Sequence, residues 1–185
     1  MAGLSGAVNA GALYNSSVTS EIKLPEIVNV SYFRTLDARW DIMADVQYTG
    51  WSSIQALTFV RGNGTVLQST TENFSDAWRF SLGTNYRHDE RWLFRAGVAY
   101  DQSPVQDADR TPRLPDADRT WLALGTQYKP TPALALDFGA AYIWVRSASI
   151  NAISPSVESV NQYGLINGTY HNNVVVVSGQ VTYSF

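Results

Sequence analysis

The most regular feature of the chain is an alternation of apolar and polar side chains. From Trp40 to Thr49 the even positions are apolar, whereas the odd positions, beginning with Asp41, are mostly polar. A period of two residues is typical of a β-strand with one apolar face, because successive side chains point to opposite sides. The same alternation recurs, so the pattern predicts seven strands, at residues 22–32, 40–49, 78–87, 92–101, 121–128, 134–144 and 175–185. Residues 3–15 are a candidate for an eighth strand.

Alternation alone fits a soluble β-sandwich and a transmembrane β-barrel equally well. Three features favour the barrel. The strands, at about ten residues, are long enough to cross a membrane when tilted. Trp or Tyr stands at the ends of most apolar faces, as in interfacial aromatic girdles. The polar faces carry Arg, Asp and Gln at mid-strand, which suits a hydrated lumen better than a dry core.

We therefore predict an all-β fold, an antiparallel transmembrane β-barrel with seven to eight strands in this chain. The strands occupy residues 18–185, and residues 1–17 form an extra strand or a loop. Connections at 34–39, 87–91 and 129–132 are short, whereas those at 101–117 and 151–169 are long. Short periplasmic turns and long external loops are typical of bacterial outer-membrane barrels, so this is the predicted location.

The composition further limits the class of protein and its possible partners. Only 16% of the residues are charged and 45% are hydrophobic, and this charged fraction is low for a soluble domain. The purest apolar run, residues 174–177, is far too short for a membrane-spanning helix. The net charge of −3, without a basic face, argues against nucleic acid as a partner. Membrane lipids are the expected surroundings of the apolar faces.

A five-residue repeat, Asp-Ala-Asp-Arg-Thr, appears at 107–111 and again at 116–120. It begins like a calcium-binding loop, but Pro112 and Asp118 stand where that loop needs Gly and Glu. We expect no metal and no cofactor. The first copy is predicted to lie within a loop, and the second to lead into a strand. There Arg119 is placed to pair with Asp101 across the strand ends.

Several collinear segments resemble the outer-membrane long-chain fatty acid transporter family (FadL/TodX/OmpP1 type), and specifically its C-terminal half. The matching segments are residues 24–26, 48–52, 76–79, 82–84, 92–105 and 114–125. The resemblance implies a barrel with 14 strands in full-length members, an N-terminal hatch and a lateral opening for hydrophobic substrates. The C-terminal Phe185, preceded by alternating apolar residues, resembles the signal that the outer-membrane assembly machinery reads.

The resemblance implies passive transport or binding of long-chain fatty acids or other hydrophobic compounds, without covalent chemistry. The candidate ligand-binding residues are inward-facing: Arg119 and Arg95 for a carboxylate, and Met43, Trp121 and Ile143 for an apolar chain. Apart from Arg119, the charged residues at odd positions of the strands are predicted to form a network of ion pairs: Asp41, Asp45, Arg79, Arg87, Arg95 and Asp137.

Two alternatives remain at this stage. An eight-stranded barrel is filled by its own side chains, so a truncated or engineered small closed barrel would have a structural role and no transport. An enzyme is the other alternative, since His171 stands near Ser147 in a predicted hairpin. We expect no catalytic residues, because serine is abundant in these loops.

Overall fold

The structure, a computed structural model, describes residues 16–151 and 166–185. This part of the chain contains twelve strands and one short 3₁₀-helix, Trp51–Ser53. The strands are β1 (Val18–Thr19), β2 (Ile27–Thr35), β3 (Trp40–Thr49), β4 (Ala56–Arg61), β5 (Val66–Thr71), β6 (Ala77–Arg87), β7 (Trp92–Asp101), β8 (Arg119–Thr131), β9 (Leu134–Val145), β10 (Ala148–Asn151), β11 (Asn167–Tyr170) and β12 (Asn173–Tyr183).

Seven of these strands form the main sheet, in the spatial order β12-β9-β8-β7-β6-β3-β2. Every neighbouring pair is antiparallel. These are the seven strands predicted from alternation, so that prediction is confirmed. The first strand starts at Ile27 rather than at residue 22, and β8 is longer at both ends than predicted. The possible strand at residues 3–15 lies outside the described residues.

The main sheet has two chemically different faces. On β2 to β9 of the main sheet the odd-numbered residues share what we call the inner face. On β12 the even-numbered residues join that face, since Val174 lies opposite Ile143. Even positions of β6 such as Phe80 and Leu82 are exposed, whereas the inner position Ser81 between them is half-buried. The even residues of β2 to β9 and the odd residues of β12 form the outer face.

The outer face is apolar and open. Leu82 and Val177 are 62% and 78% exposed, whereas the apolar face of a sheet in a soluble protein is buried in the core. Aromatic pairs lie at both ends of this face. Trp92 contacts Tyr128 at the turn end, with ring centroids 4.4 Å apart, and Tyr48 contacts Trp78 at the loop end, at 5.1 Å. The predicted arrangement of aromatic residues around an apolar band is therefore present.

Two of the short turns are built in the same way. The carboxylate of Asp37 accepts hydrogen bonds from the backbone N–H groups of Arg39 and Trp40, at 2.7 and 2.8 Å. Asp89 does the same for Arg91 and Trp92, at 2.8 Å each. An aspartate that bonds its own backbone two and three residues onward stabilises a tight turn.

Five short strands at the loop end were not predicted. A three-stranded sheet has the order β1-β4-β5, and β10 pairs with β11. A register shift between Phe59 and Val60 interrupts the β4–β5 ladder. Such a shift breaks the period of two, which is why the pattern did not reveal this hairpin.

The main sheet is open. Each of its edge strands, β2 and β12, pairs on one side only within the described residues. Those residues therefore do not form the small closed barrel considered above. They also include no helix with the length and apolar character needed to cross a membrane.

Candidate ligand-binding site

Small residues make the middle of the inner face concave. Gly83 lies opposite Gly97, and Gly97 lies opposite Ala123. One position nearer the turn end, Gly125 lies opposite Gly139. Because these residues project little or no side chain, they leave an open groove of about 780 Å³ along the inner face.

An ion pair lies beside the groove, at the turn end of the inner face. Asp41 is fully buried and lies opposite Asn85, whose amide donates to it at 3.2 Å. Arg87 binds both carboxylate oxygens of Asp41, and its Nη1 lies 3.0 Å from Oδ1. Thr35 adds a third donor. The buried carboxylate is thus fully hydrogen-bonded, as a buried charge must be.

A second ion pair lies within the groove. Nη1 of Arg95 is 2.8 Å from Oδ1 of Asp137. The amide of Gln127 donates to both oxygens of the same carboxylate, at 3.0 Å each. Arg95 is therefore already engaged by a structural partner, although its side chain remains 42% exposed.

The third ion pair lies at the loop end and confirms a prediction. Arg119 and Asp101 are direct cross-strand partners, with Nη2 3.3 Å from Oδ2. Asp116 lies 3.8 Å from the other terminal nitrogen of Arg119. The guanidinium of Arg119 is therefore flanked by two carboxylates.

Two residues of the predicted ion-pair network do not belong to it. Asp45 accepts a hydrogen bond from Ser31, at 2.6 Å, and pairs with no described cation. Arg79 forms no ion pair with any described residue, and its guanidinium carbon lies 5.3 Å from the centroid of the Trp121 ring. The prediction was wrong for these two because parity assigns a face but not a partner.

The five predicted ligand-binding residues lie on the inner face at different heights. Met43 and Arg95 line the groove. Trp121 and Ile143 are direct partners across β8 and β9, nearer the loop end, and Ile143 is 5% exposed. Arg119 lies one inner position further toward the loops. The structure brings all five to one face, and their contact with a ligand stays a prediction.

The repeat at 107–120 has two structural roles. In the first copy Arg110 is 2% exposed and donates to Asp107, to the carbonyl of Asp116 and to the carbonyl of Ser149, at 2.6 to 2.9 Å. It holds the loop 102–118 against β10. In the second copy Asp118 accepts from the backbone N–H of Ser103, at 3.0 Å. The role of Arg110 was not predicted, because nothing in the repeat distinguishes a buried arginine from an exposed one.

Two carboxylates of the loop end titrate differently. Burial raises the pKa of Glu72 above its usual value, and the nearby charge of Arg113 only partly opposes this. The hydroxyl and backbone N–H of Ser52, with the hydroxyl of Tyr48, lower the pKa of Asp76. The described residues hold no group of three His, Asp or Glu side chains placed for a metal ion.

The serine and histidine of the enzyme alternative do meet. Ser147 Oγ lies 2.9 Å from Nδ1 of His171, and both side chains are exposed. Within the described residues no carboxylate or amide bonds to the other ring nitrogen of this histidine. In the described part of the chain the pair therefore has no orienting third group of the kind that a catalytic triad needs.

Phe185 lies beyond the end of β12, fully exposed, with its ring 5.4 Å from that of Tyr183. The backbone N–H of Ser184 donates to the carbonyl of Ala133, so the segment stays beside the β8–β9 turn. Recognition of this residue by the assembly machinery stays a prediction.

The sequence and the fold are both similar to known proteins. The chain is 39% identical over 130 residues to the long-chain fatty acid transport protein of Escherichia coli K12, a match that covers 70% of this chain and 29% of the relative. It is 35% identical over 122 residues to outer membrane protein P1 of Haemophilus influenzae, covering 66% of this chain and 26% of that protein. The crystal structure of a Pseudomonas aeruginosa FadL homologue superposes with a TM-score of 0.81, at 26% identity, covering 98% of this chain and 41% of that one.

These matches agree with one another and with the two-faced sheet. The chain spans only 26% to 35% of the length of the curated relatives that it matches. The family model of the outer membrane protein transport proteins (OMPP1/FadL/TodX) matches residues 2–185. The chain therefore belongs to this family of outer-membrane β-barrel proteins.

Proposed function

We propose that this chain forms part of the wall of an outer-membrane channel that takes up hydrophobic compounds, with long-chain fatty acids as the substrate. The observation that carries the proposal is the groove on the inner face, set against an outer face that is apolar throughout its middle. A wall of this kind has lipid on its outer side and the lumen of the barrel on its inner side, as in other outer-membrane barrels.

The lining of the groove suits a substrate with a long apolar part. Met43 contributes apolar surface, and the glycines expose flat backbone against which an alkyl chain can lie. Apolar pockets with a few placed polar groups are typical of small-molecule sites. Transport of this kind needs no covalent step, and we propose that it is passive.

Uptake of labelled oleate into liposomes tests the proposal, with the purified intact protein reconstituted in the membrane. The rate is expected to exceed that of protein-free liposomes and to depend on the oleate gradient alone. Equal rates with and without protein would contradict transport.

A pair of alanines locates the passage. Ala123 lies on the inner face and lines the groove, whereas Ala140 lies on the outer face of the adjacent strand. A123L fills part of the groove and is expected to lower the uptake rate several-fold, because the added side chain occupies the path. A140L adds the same volume toward lipid and is expected to leave the rate unchanged. Equal rates for the two variants would contradict a passage along the inner face.

A further inference from the structure

Three N–H groups on the inner face are buried without an acceptor among the described residues. They are Nε of Arg79, Nε of Arg119 and Nε1 of Trp121. The only other buried polar side-chain atom in this state within the described residues is Oγ1 of Thr126, on the outer face. Buried donors normally have partners, and an unpaired one is unfavourable, so three of them close together need an explanation.

The three donors lie close together because of the strand register. Arg79 lies opposite Asp101, and Asp101 lies opposite Arg119. Trp121 follows two residues after Arg119 on the same face, and its ring lies beneath the guanidinium of Arg79. Two arginines thus flank one aspartate, and the ion pair forms with Arg119 only.

Arg79 is consequently a cation with no carboxylate partner in the described part of the chain. Its neighbour toward β3 is Gln47, whose side-chain amide donates to Thr49 rather than interacting with Arg79. The guanidinium of Arg79 lies above the ring of Trp121, a contact that is favourable because a cation is attracted to the face of an indole ring.

We propose that Arg79, positioned by Trp121, binds the carboxylate of a fatty acid at the loop end of the groove. A carboxylate only accepts hydrogen bonds, so it matches a site at which donors are in excess. The planar fork of arginine suits a two-point contact with it. Ala123, the next inner position of β8 after Trp121, lines the groove, so the alkyl chain would extend from this site into the groove. This inference rests on the proposed function, and it assigns to Arg79 the preference for a ligand with a negatively charged head.

The test compares two ligands of equal chain length, oleate and oleyl alcohol, which differ in charge at the head. Equilibrium binding of each labelled ligand is measured with the intact protein in detergent micelles. R79Q is expected to weaken oleate binding on the order of tenfold and to leave oleyl alcohol binding unchanged, because only the charged head uses the guanidinium. R79K keeps the charge without the fork, so it is expected to recover part of the oleate affinity.

R34Q is the matched control, since Arg34 lies on the outer face of β2. It is expected to bind both ligands as the wild type does. Equal weakening of both ligands in R79Q would assign Arg79 a structural role and overturn the inference, as would unchanged oleate binding. A wild-type protein that binds oleyl alcohol but not oleate overturns the inference and leaves the proposed channel standing. One that binds neither contradicts both.

Discussion

Arg110 shows how much one buried side chain contributes at the loop end. Its guanidinium is almost fully buried, and it joins the loop 102–118 to itself and to β10 through three hydrogen bonds. Asp107, its ionic partner, remains 73% exposed. Arg110 is thus a buried cation, and two of its three hydrogen bonds go to backbone carbonyls.

We predict that R110Q loosens this loop while the main sheet stays folded. The carbonyls of Asp116 and Ser149 lose a charged donor, which costs about 2 kcal/mol of local stability. Thermolysin cleavage within residues 102–118 is expected to become at least about tenfold faster, because cleavage follows the population of the open loop. R39Q is the control, since Arg39 lies in a turn at the opposite end of the sheet. Unchanged cleavage in R110Q would contradict the role of Arg110.

Individual residues were the hardest level to predict from the sequence. Parity placed Arg119, Arg95, Met43, Trp121 and Ile143 on the correct face, and it also predicted the Asp101–Arg119 pair. It did not reveal that Arg110 is buried, nor that Arg79 has no carboxylate partner among the described residues. Both depend on the lateral packing of strands and loops that are distant in sequence, which a period of two residues does not encode.

At the scale of elements, the two turns with the pattern Asp-x-Arg-Trp are the structurally meaningful repeat. Asp37 and Asp89 occupy the same position in them and accept the same two backbone hydrogen bonds. The more conspicuous Asp-Ala-Asp-Arg-Thr repeat has no such equivalence. A local repeat carries structural meaning where its side chains bond their own backbone.

Asp89 should therefore stabilise the β6–β7 turn in a pH-dependent way. The N–H groups of Arg91 and Trp92 lower the pKa of Asp89 below its ordinary value of 3.8. Because the folded-state pKa is depressed, the stabilisation is present above the ordinary value and is lost as the pH falls through the depressed one.

We predict that D89A lowers the urea midpoint of unfolding at neutral pH, because it removes the acceptor for both N–H groups. D89N keeps one neutral acceptor, so its midpoint is expected to lie between those of D89A and the wild type. The difference between D89N and the wild type is expected to shrink as the pH falls below 3.8. E90A, which alters the next residue of the same turn, is expected to behave as the wild type. A difference between D89N and the wild type that is independent of pH would contradict the carboxylate as its origin.

At the scale of the whole molecule, strand direction limits how the sheet can close. The main sheet has seven antiparallel strands, so its edge strands β2 and β12 run in the same direction. Direct pairing of these two edges would be parallel. Unpaired edges are costly within a bilayer, so the sheet must close. If every pairing is antiparallel, closure requires an odd number of further strands between β12 and β2.

The membrane-spanning wall was the part most fully predictable from the sequence. Alternation specifies two faces, and a shift by one residue would reverse both, so the signal is repeated at every position of seven strands. The loop end was predicted only as long connections. Its short strands, bulge and buried arginine follow from contacts between loops rather than from a period.

The account depends most directly on the assignment of the inner and outer faces. The chain contains no cysteine, so single cysteines can be introduced one at a time at residues 80–85 of β6 in the intact protein. With the protein in liposomes, a small charged thiol reagent is expected to label positions 81, 83 and 85. Positions 80, 82 and 84 are expected to stay unlabelled, because they face the lipid. Uniform labelling, or labelling in the opposite phase, would contradict the account.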